Sequence, residues 1–260
     1  MDPKVLELKN VAAGYDGVDV IKNISLRVKP NENLSIIGPN GCGKTTLLKA
    51  IVNLLPFKGE IKINERLVHT MKPKEISLEI AMLSQTSATY FSYSVYDTVM
   101  MGRYLHMQDR FFRLPSKKDH DYVLQCLETV DLLNEKDREI STLSGGQLQR
   151  VFLARVLAQN PKIILLDEPT NHLDLKYQVE LIEYLRKWSK QGERAVIGVL
   201  HDLNLALQLS DQILVMKDGE AKAYGKPGTI LTGKLLEETY EIDVVGYMRD
   251  SLRTWEDLKK

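Results

Sequence analysis

Gly38-Pro39-Asn40-Gly41-Cys42-Gly43-Lys44-Thr45-Thr46 decides how the rest of this chain is read. The stretch fits G-x-x-x-x-G-K-[ST], a pattern that cradles phosphate. The apolar run Leu34-Ser35-Ile36-Ile37 enters it and is expected to be a short buried strand, and Thr45 to Val52 leaves it as a helix. Glycines let successive backbone N–H groups converge on one anion, and the helix N-terminus adds its partial positive charge. Lys44 is then expected at the β- and γ-phosphates, and the Thr45 hydroxyl on Mg²⁺. The pattern implies a nucleoside triphosphate site; the bland rival is a glycine-rich turn with an incidental lysine. Alone, the loop is silent on what the nucleotide drives.

The 260 residues suit one α/β domain with subdomains, and 43% hydrophobic with 27% charged residues is ordinary for a chain with a sizeable core. Lys plus Arg equals Asp plus Glu at 35 each, so no polyanion-binding surface is predicted and nucleic acid is disfavoured as a partner. Cys42 and Cys126 lie far apart, which argues against a disulfide and for a reducing compartment. Met1-Asp2-Pro3-Lys4 has no basic-then-apolar leader, and no run approaches 18 uninterrupted apolar residues. Work at a membrane would need another chain to provide the span.

Val5 to Val11 and Ile24 to Val28 alternate apolar and polar residues, as half-buried strands do, with Gly14-Tyr15-Asp16-Gly17 expected as the turn between them. Pro56-Phe57-Lys58-Gly59 reads as a turn into a strand at Glu60 to Ile63. From about Thr86 to Pro161 the period becomes helical, with Val123, Leu127 and Val130 at i, i+4 and i+7. This segment reads as a helical subdomain inserted into a sheet-based core. Lys162 to Asp167 and Ala195 to Leu200 are continuous apolar runs of the kind buried in a parallel sheet, separated by a helix from about Leu175 to Lys190. Ile213 to Glu220 reads as a strand entering a hairpin.

Asp167 and Glu168 close one of those strands. In phosphoryl transfer, an acid at a strand end holds Mg²⁺ and a second carboxylate can take the proton of an attacking water. For this dipeptide alone, the start of a solvated loop is an equal alternative. Leu143-Ser144-Gly145-Gly146-Gln147, leading into a helix, offers a second anion-binding terminus, although Ser-Gly-Gly by itself is a common flexible turn.

With that addition the chain resembles the ABC (ATP-binding cassette) ATPase family over roughly residues 4 to 242, every hallmark standing in family order. Gly38 to Thr46 matches the Walker A loop, Gln85 the Q-loop glutamine and Leu143 to Gln147 the signature. Asp167 and Glu168 match Walker B, Asn171-His172-Leu173-Asp174 the D-loop and His201 the switch histidine, while Tyr15 stands where the family stacks adenine. The resemblance implies a P-loop NTPase (RecA-like) α/β core with an antiparallel β subdomain and an inserted α-helical subdomain. The cassette is expected over residues 1–242, with helices at about 86–161 and a short tail at 243–260.

For the site, it implies catalysis by Glu168 as general base with His201, Gln85 and Lys44, and Mg²⁺ held by Thr45, Gln85 and Asp167. ATP is expected on Tyr15, Gly38, Pro39, Asn40, Gly41, Cys42, Gly43, Lys44, Thr45 and Thr46, with Ser144, Gly145, Gly146, Gln147 and Asp174 acting on a partner's nucleotide. Cys42 is expected near the nucleotide without a chemical role. One copy of each motif implies a head-to-tail homodimer with ATP between the Walker A loop of one copy and the signature of the other.

The stretch from Asp97 to His106, the segment Leu200 to Ala206 and the region from Gly228 to Val245 are similar to ATPase subunits of metal-chelate importers: ferric siderophore, haem or cobalamin. That implies integral-membrane permease subunits, indirectly a substrate-binding protein, and a peripheral place on the cytoplasmic face of the cell (inner) membrane. The aromatic run Tyr90-Phe91-Ser92-Tyr93 is either packing core or the lining of a groove for a permease helix. A soluble ABC ATPase acting on ribosomes or DNA, the ATPase of a transporter with another cargo, and a P-loop kinase are the competing readings. The signature, for which a kinase has no use, separates the last.

Overall fold

The computed structural model describes residues 4–84, 93–107, 114–171 and 173–258. Among the described residues, ten strands form two sheets. Strands β1 (Leu6–Tyr15), β2 (Val18–Val28), β4 (Phe57–Ile63) and β5 (Arg66–Leu67) make an antiparallel sheet in the order β2-β1-β4-β5. The second sheet uses β3 (Asn33–Ile37), β6 (Ile80–Leu83), β7 (Ile163–Asp167), β8 (Ala195–Val199), β9 (Gln212–Lys217) and β10 (Glu220–Gly225), in the order β10-β9-β3-β8-β7-β6. Its strands run parallel except for β10, which folds back on β9.

Every residue of β3, β7 and β8 is buried, as their uninterrupted apolar runs require. Side chains alternate across a strand, and the core divides accordingly. Ile37, Ile164, Leu166 and Val196 face the helices, whereas Ile36, Ile163, Leu165 and Ile197 face the antiparallel sheet and the helix Lys44–Ile51. The parallel sheet is thereby covered on both sides. Between β6 and β7 the described elements are helical apart from a single bridge, Ser94 to Glu139, and their longest members are Lys117–Thr129 and Gly145–Ala158.

Two local expectations need correction. Tyr15 ends β1 instead of lying in a turn; the turn is Asp16-Gly17, both at positive φ, closing the hairpin at the Tyr15–Val18 pair. β1 outruns its alternating pattern because a register shift between Leu8 and Val11, at the left-handed Asn10, breaks the period of two. Lys58-Gly59 is likewise strand and not turn: Gly59, at φ +87°, crosses the Asn10 bulge where a Cβ would lie 2.4 Å from the Asn10 carbonyl oxygen. Within the expected C-terminal tail, Val244–Glu256 form a helix that buries only Val244.

Candidate active site

The parallel order brings the ends of β3, β8 and β7 side by side, and the candidate residues follow those ends. The loop from Gly38 to Gly43 leaves β3. Gly38, at φ +149°, lies so near β9 that a Cβ would stand 2.1 Å from the Met216 carbonyl oxygen, and at Gly43 a Cβ would stand 2.5 Å from the Ile21 side chain. The helix Lys44–Ile51 opens on Gly43 with no side-chain cap, so its first N–H groups are presented by backbone alone. Lys44 folds across its own loop, its Nζ donating to the carbonyls of Gly38 and Pro39 at 2.8 Å each.

The Thr45 hydroxyl donates to Asp167 Oδ1 at 3.0 Å, joining the loop to the end of β7. Burial raises the Asp167 carboxyl above its ordinary value against the Thr45 hydrogen bond, and the charge of Glu168 adds to the rise. A hydroxyl and a buried carboxylate converging this way are hard oxygen donors that fit Mg²⁺, an ion that usually takes one or two protein oxygens and completes its shell from phosphate and water. A cluster of three or more His, Cys, Asp or Glu side chains fit to hold a metal is absent among the described residues.

Glu168 sits in a left-handed conformation, φ 55°, its N–H bonded to the Val199 carbonyl on β8 at 3.1 Å. One carboxylate oxygen, Oε1, lies 2.5 Å from His201 Nε2, and the other accepts from Asn171 Nδ2 at 2.7 Å. Burial pushes this carboxyl up; the bond and charge of His201, the Asn171 bond and the Lys44 charge outweigh it and leave the group below the usual carboxylate value. His201 follows β8, and Asp202 behind it caps the helix Leu203–Leu209 by accepting from the N–H groups of Asn204 and Leu205. Tyr15 is 43% exposed, leaving ring area for a base to stack on, and its hydroxyl accepts from Lys49 at 3.3 Å.

The signature residues occupy a cleft of their own. Ser144 caps the helix Gly145–Ala158 in a reciprocal box: its hydroxyl accepts from the Gln147 N–H at 3.2 Å, and Gln147 Oε1 accepts from the Ser144 N–H at 3.0 Å. Ser144, Gly145, Gly146 and Gln147 line this cleft together with Asp174. Asp174 also caps the helix Leu175–Ser189 through Tyr177 N–H at 3.1 Å. Asn40, Gly41 and Thr46 belong to the phosphate loop and its helix, and Cys42 is buried there with its thiol pushed up by burial. Gln85 and the aromatic run through Ser92 lie outside the described residues.

Sequence reasoning missed two contributors. Tyr240, on the helix Gly233–Tyr240, lies beside the backbone of Gly38, and burial pushes its phenol up to about 12. No motif marks a tyrosine 202 positions from the loop it lies beside. The Gln149 side-chain amide donates to the Pro169 carbonyl, tying the helix after the signature to the turn after Glu168; two residues beyond the signature's last glutamine, it reads in sequence as one more helix former.

Residues 21–171 match the family model described as ABC transporter. The chain is 37% identical over 247 residues to the uncharacterized ABC transporter ATP-binding protein YvrA of Bacillus subtilis, covering 95% of this chain and 56% of that protein. It thus spans little more than half the length of that relative. To the iron(3+)-hydroxamate import ATP-binding protein FhuC of Bacillus subtilis it is 33% identical, over 92% of this chain and 88% of that one. Among solved structures it resembles a dimeric post-hydrolysis state of an ATP-binding cassette bound to ADP and Pi, with a TM-score of 0.73, 30% identity, and coverage of 85% and 98%.

Proposed function

This chain belongs to the ABC transporter family, and from that premise we propose that it hydrolyses ATP to drive a membrane importer of an iron siderophore, haem or cobalamin. The observation that carries the ATPase reading is the meeting of the Thr45–Asp167 pair and the Glu168–His201 pair at the ends of adjacent strands. Residues 1–242 form the cassette with its helical insertion at about 86–161, and residues 243–260 are an appendage. Cargo class rests on the relatives, among which an iron(3+)-hydroxamate import protein matches nearly end to end.

In this mechanism the N–H groups from Gly41 to Thr46 receive the β- and γ-phosphates. Lys44 exchanges its two carbonyl partners for phosphate oxygens. Thr45 and Asp167 would hold Mg²⁺, which would supply charge neutralisation for the transferring phosphate. Glu168 takes a proton from water as that water's oxygen attacks the γ-phosphorus and the bond to the ADP oxygen breaks. His201 and Gln85 contact the γ-phosphate, and Tyr15 stacks on adenine. Ser144 to Gln147 and Asp174 of a second copy complete the site, in keeping with the dimer of the similar cassette.

No helix among the described residues is long and apolar enough to cross a membrane. Permease subunits supply the span, a substrate-binding protein delivers cargo to them, and this chain sits peripherally on the cytoplasmic face of the inner membrane. Co-purification of the tagged chain from detergent-solubilised membranes tests this: a multi-span partner is expected, and its absence rejects the importer reading.

A further inference from the structure

We propose that Asn171 is the positioning residue for Glu168, and that the turn carrying Asn171 is set by the helix that follows the signature. The proposal rests on the reading of Glu168 as general base and His201 as γ-phosphate contact. A glutamate side chain turns about three single bonds, so a base presented from a strand end has to be aimed by its neighbours. Here the aiming is done from two sides, with His201 at Oε1 and Asn171 at Oε2. Two donors on two oxygens fix the plane of the carboxylate; one alone leaves it able to swing about the remaining contact.

The two donors have different fates in the reaction. Once His201 turns to the γ-phosphate, its hold on Oε1 ends. Asn171 then retains Oε2 and confines the carboxylate to rotation about that one contact. Its own position is defined. The Asn171 N–H bonds the Glu168 carbonyl at 3.3 Å, and the Gln178 side chain donates to the carbonyls of Thr170 and Leu173 at 3.2 and 3.0 Å. Gln149, on the helix Gly145–Ala158, holds the Pro169 carbonyl. A displacement of that helix, whose N-terminus carries Ser144 and Gln147, therefore reaches Glu168 through one hydrogen bond, three residues of backbone and a second hydrogen bond. The orientation of the base follows the position of the signature helix in its own chain.

The test is steady-state ATP hydrolysis by the full chain carrying Asn171→Ala or the isosteric Asn171→Asp, which keeps the volume and removes the donor. Both variants are expected to lose about 10- to 100-fold in kcat, the scale of a misaimed catalytic group, with KM for ATP within about twofold of wild type. The same substitutions made on top of Glu168→Gln are expected to add less than about twofold to that variant's loss, since the two residues act as one unit. Wild-type kcat in both Asn171 variants, with Glu168→Gln inactive, overturns the proposal and leaves the base assignment standing. A further tenfold loss in the double variants also overturns it, because Asn171 would then act by another route. Wild-type turnover by Glu168→Gln itself overturns the base assignment, and the proposal with it.

Discussion

Gly38 and Gly41 both stand in the phosphate loop and both have positive φ, yet the structure predicts opposite outcomes for replacing them with alanine. At Gly41, φ +78°, a Cβ would meet nothing within 4 Å, so the cost is the left-handed backbone alone, about 1–2 kcal/mol. At Gly38 the Cβ would stand 2.1 Å from the Met216 carbonyl oxygen and 3.0 Å from Cys42 Sγ. The carbonyl is part of β9, which pairs with β3, so relief means moving two core strands. Overpacking of that kind adds about 1–3 kcal/mol to the backbone strain, giving a total of about 2–5 kcal/mol for Gly38→Ala. For a domain of this size, about 1 kcal/mol moves Tm by about 2–4 °C. Scanning calorimetry of the nucleotide-free chain should then show Gly41→Ala lower by about 2–8 °C and Gly38→Ala lower by about 4–20 °C. Equal shifts, or a larger one for Gly41→Ala, would refute the reasoning that backbone proximity decides which glycine is needed.

Other expectations follow from the same geometry. Asp167→Asn removes a buried charge whose carboxyl burial already holds above its usual value, so the nucleotide-free chain should melt higher at neutral pH while Mg²⁺-dependent hydrolysis is lost; a lower Tm contradicts this. The Glu168 carboxyl is held below its unfolded value, so the stability it contributes is present above that value, about 4.3, and is lost as pH falls through the folded one. Denaturant titrations of Glu168→Gln should accordingly show a shallower loss of stability over that acid window than wild type.

Much of this arrangement could be read from the chain. Leu34 to Thr46 announced strand, loop and helix because each part has its own chemistry: a buried apolar run, glycines at a close approach, and an uncapped helix start. Asp167 and His201 each close an apolar run that packs in the parallel sheet, a position legible in the sequence, whereas the role expected of His201 rests on the family resemblance alone. What stayed illegible depends on residues far apart in sequence or on broken periods. The Asn10 bulge shifts the register of β1 against both neighbours, so its alternation stops before its hydrogen bonding does. Tyr240 gains its role only when the helix Gly233–Tyr240 lands beside Gly38, and Asn171 only when the turn after β7 points back at Glu168. Neither contact has a periodicity to announce it.

The central claim is that one copy of the chain holds half a site and that ATP joins two copies through Ser144 to Gln147. Light scattering on the size-excluded Glu168→Gln variant, with saturating ATP and Mg²⁺, tests it most directly. The claim predicts a mass of twice 29.6 kDa with ATP, 29.6 kDa without, and no dimer when Ser144→Arg is added to the same variant. A monomer at saturating ATP, or an undiminished dimer with Ser144→Arg, would contradict it.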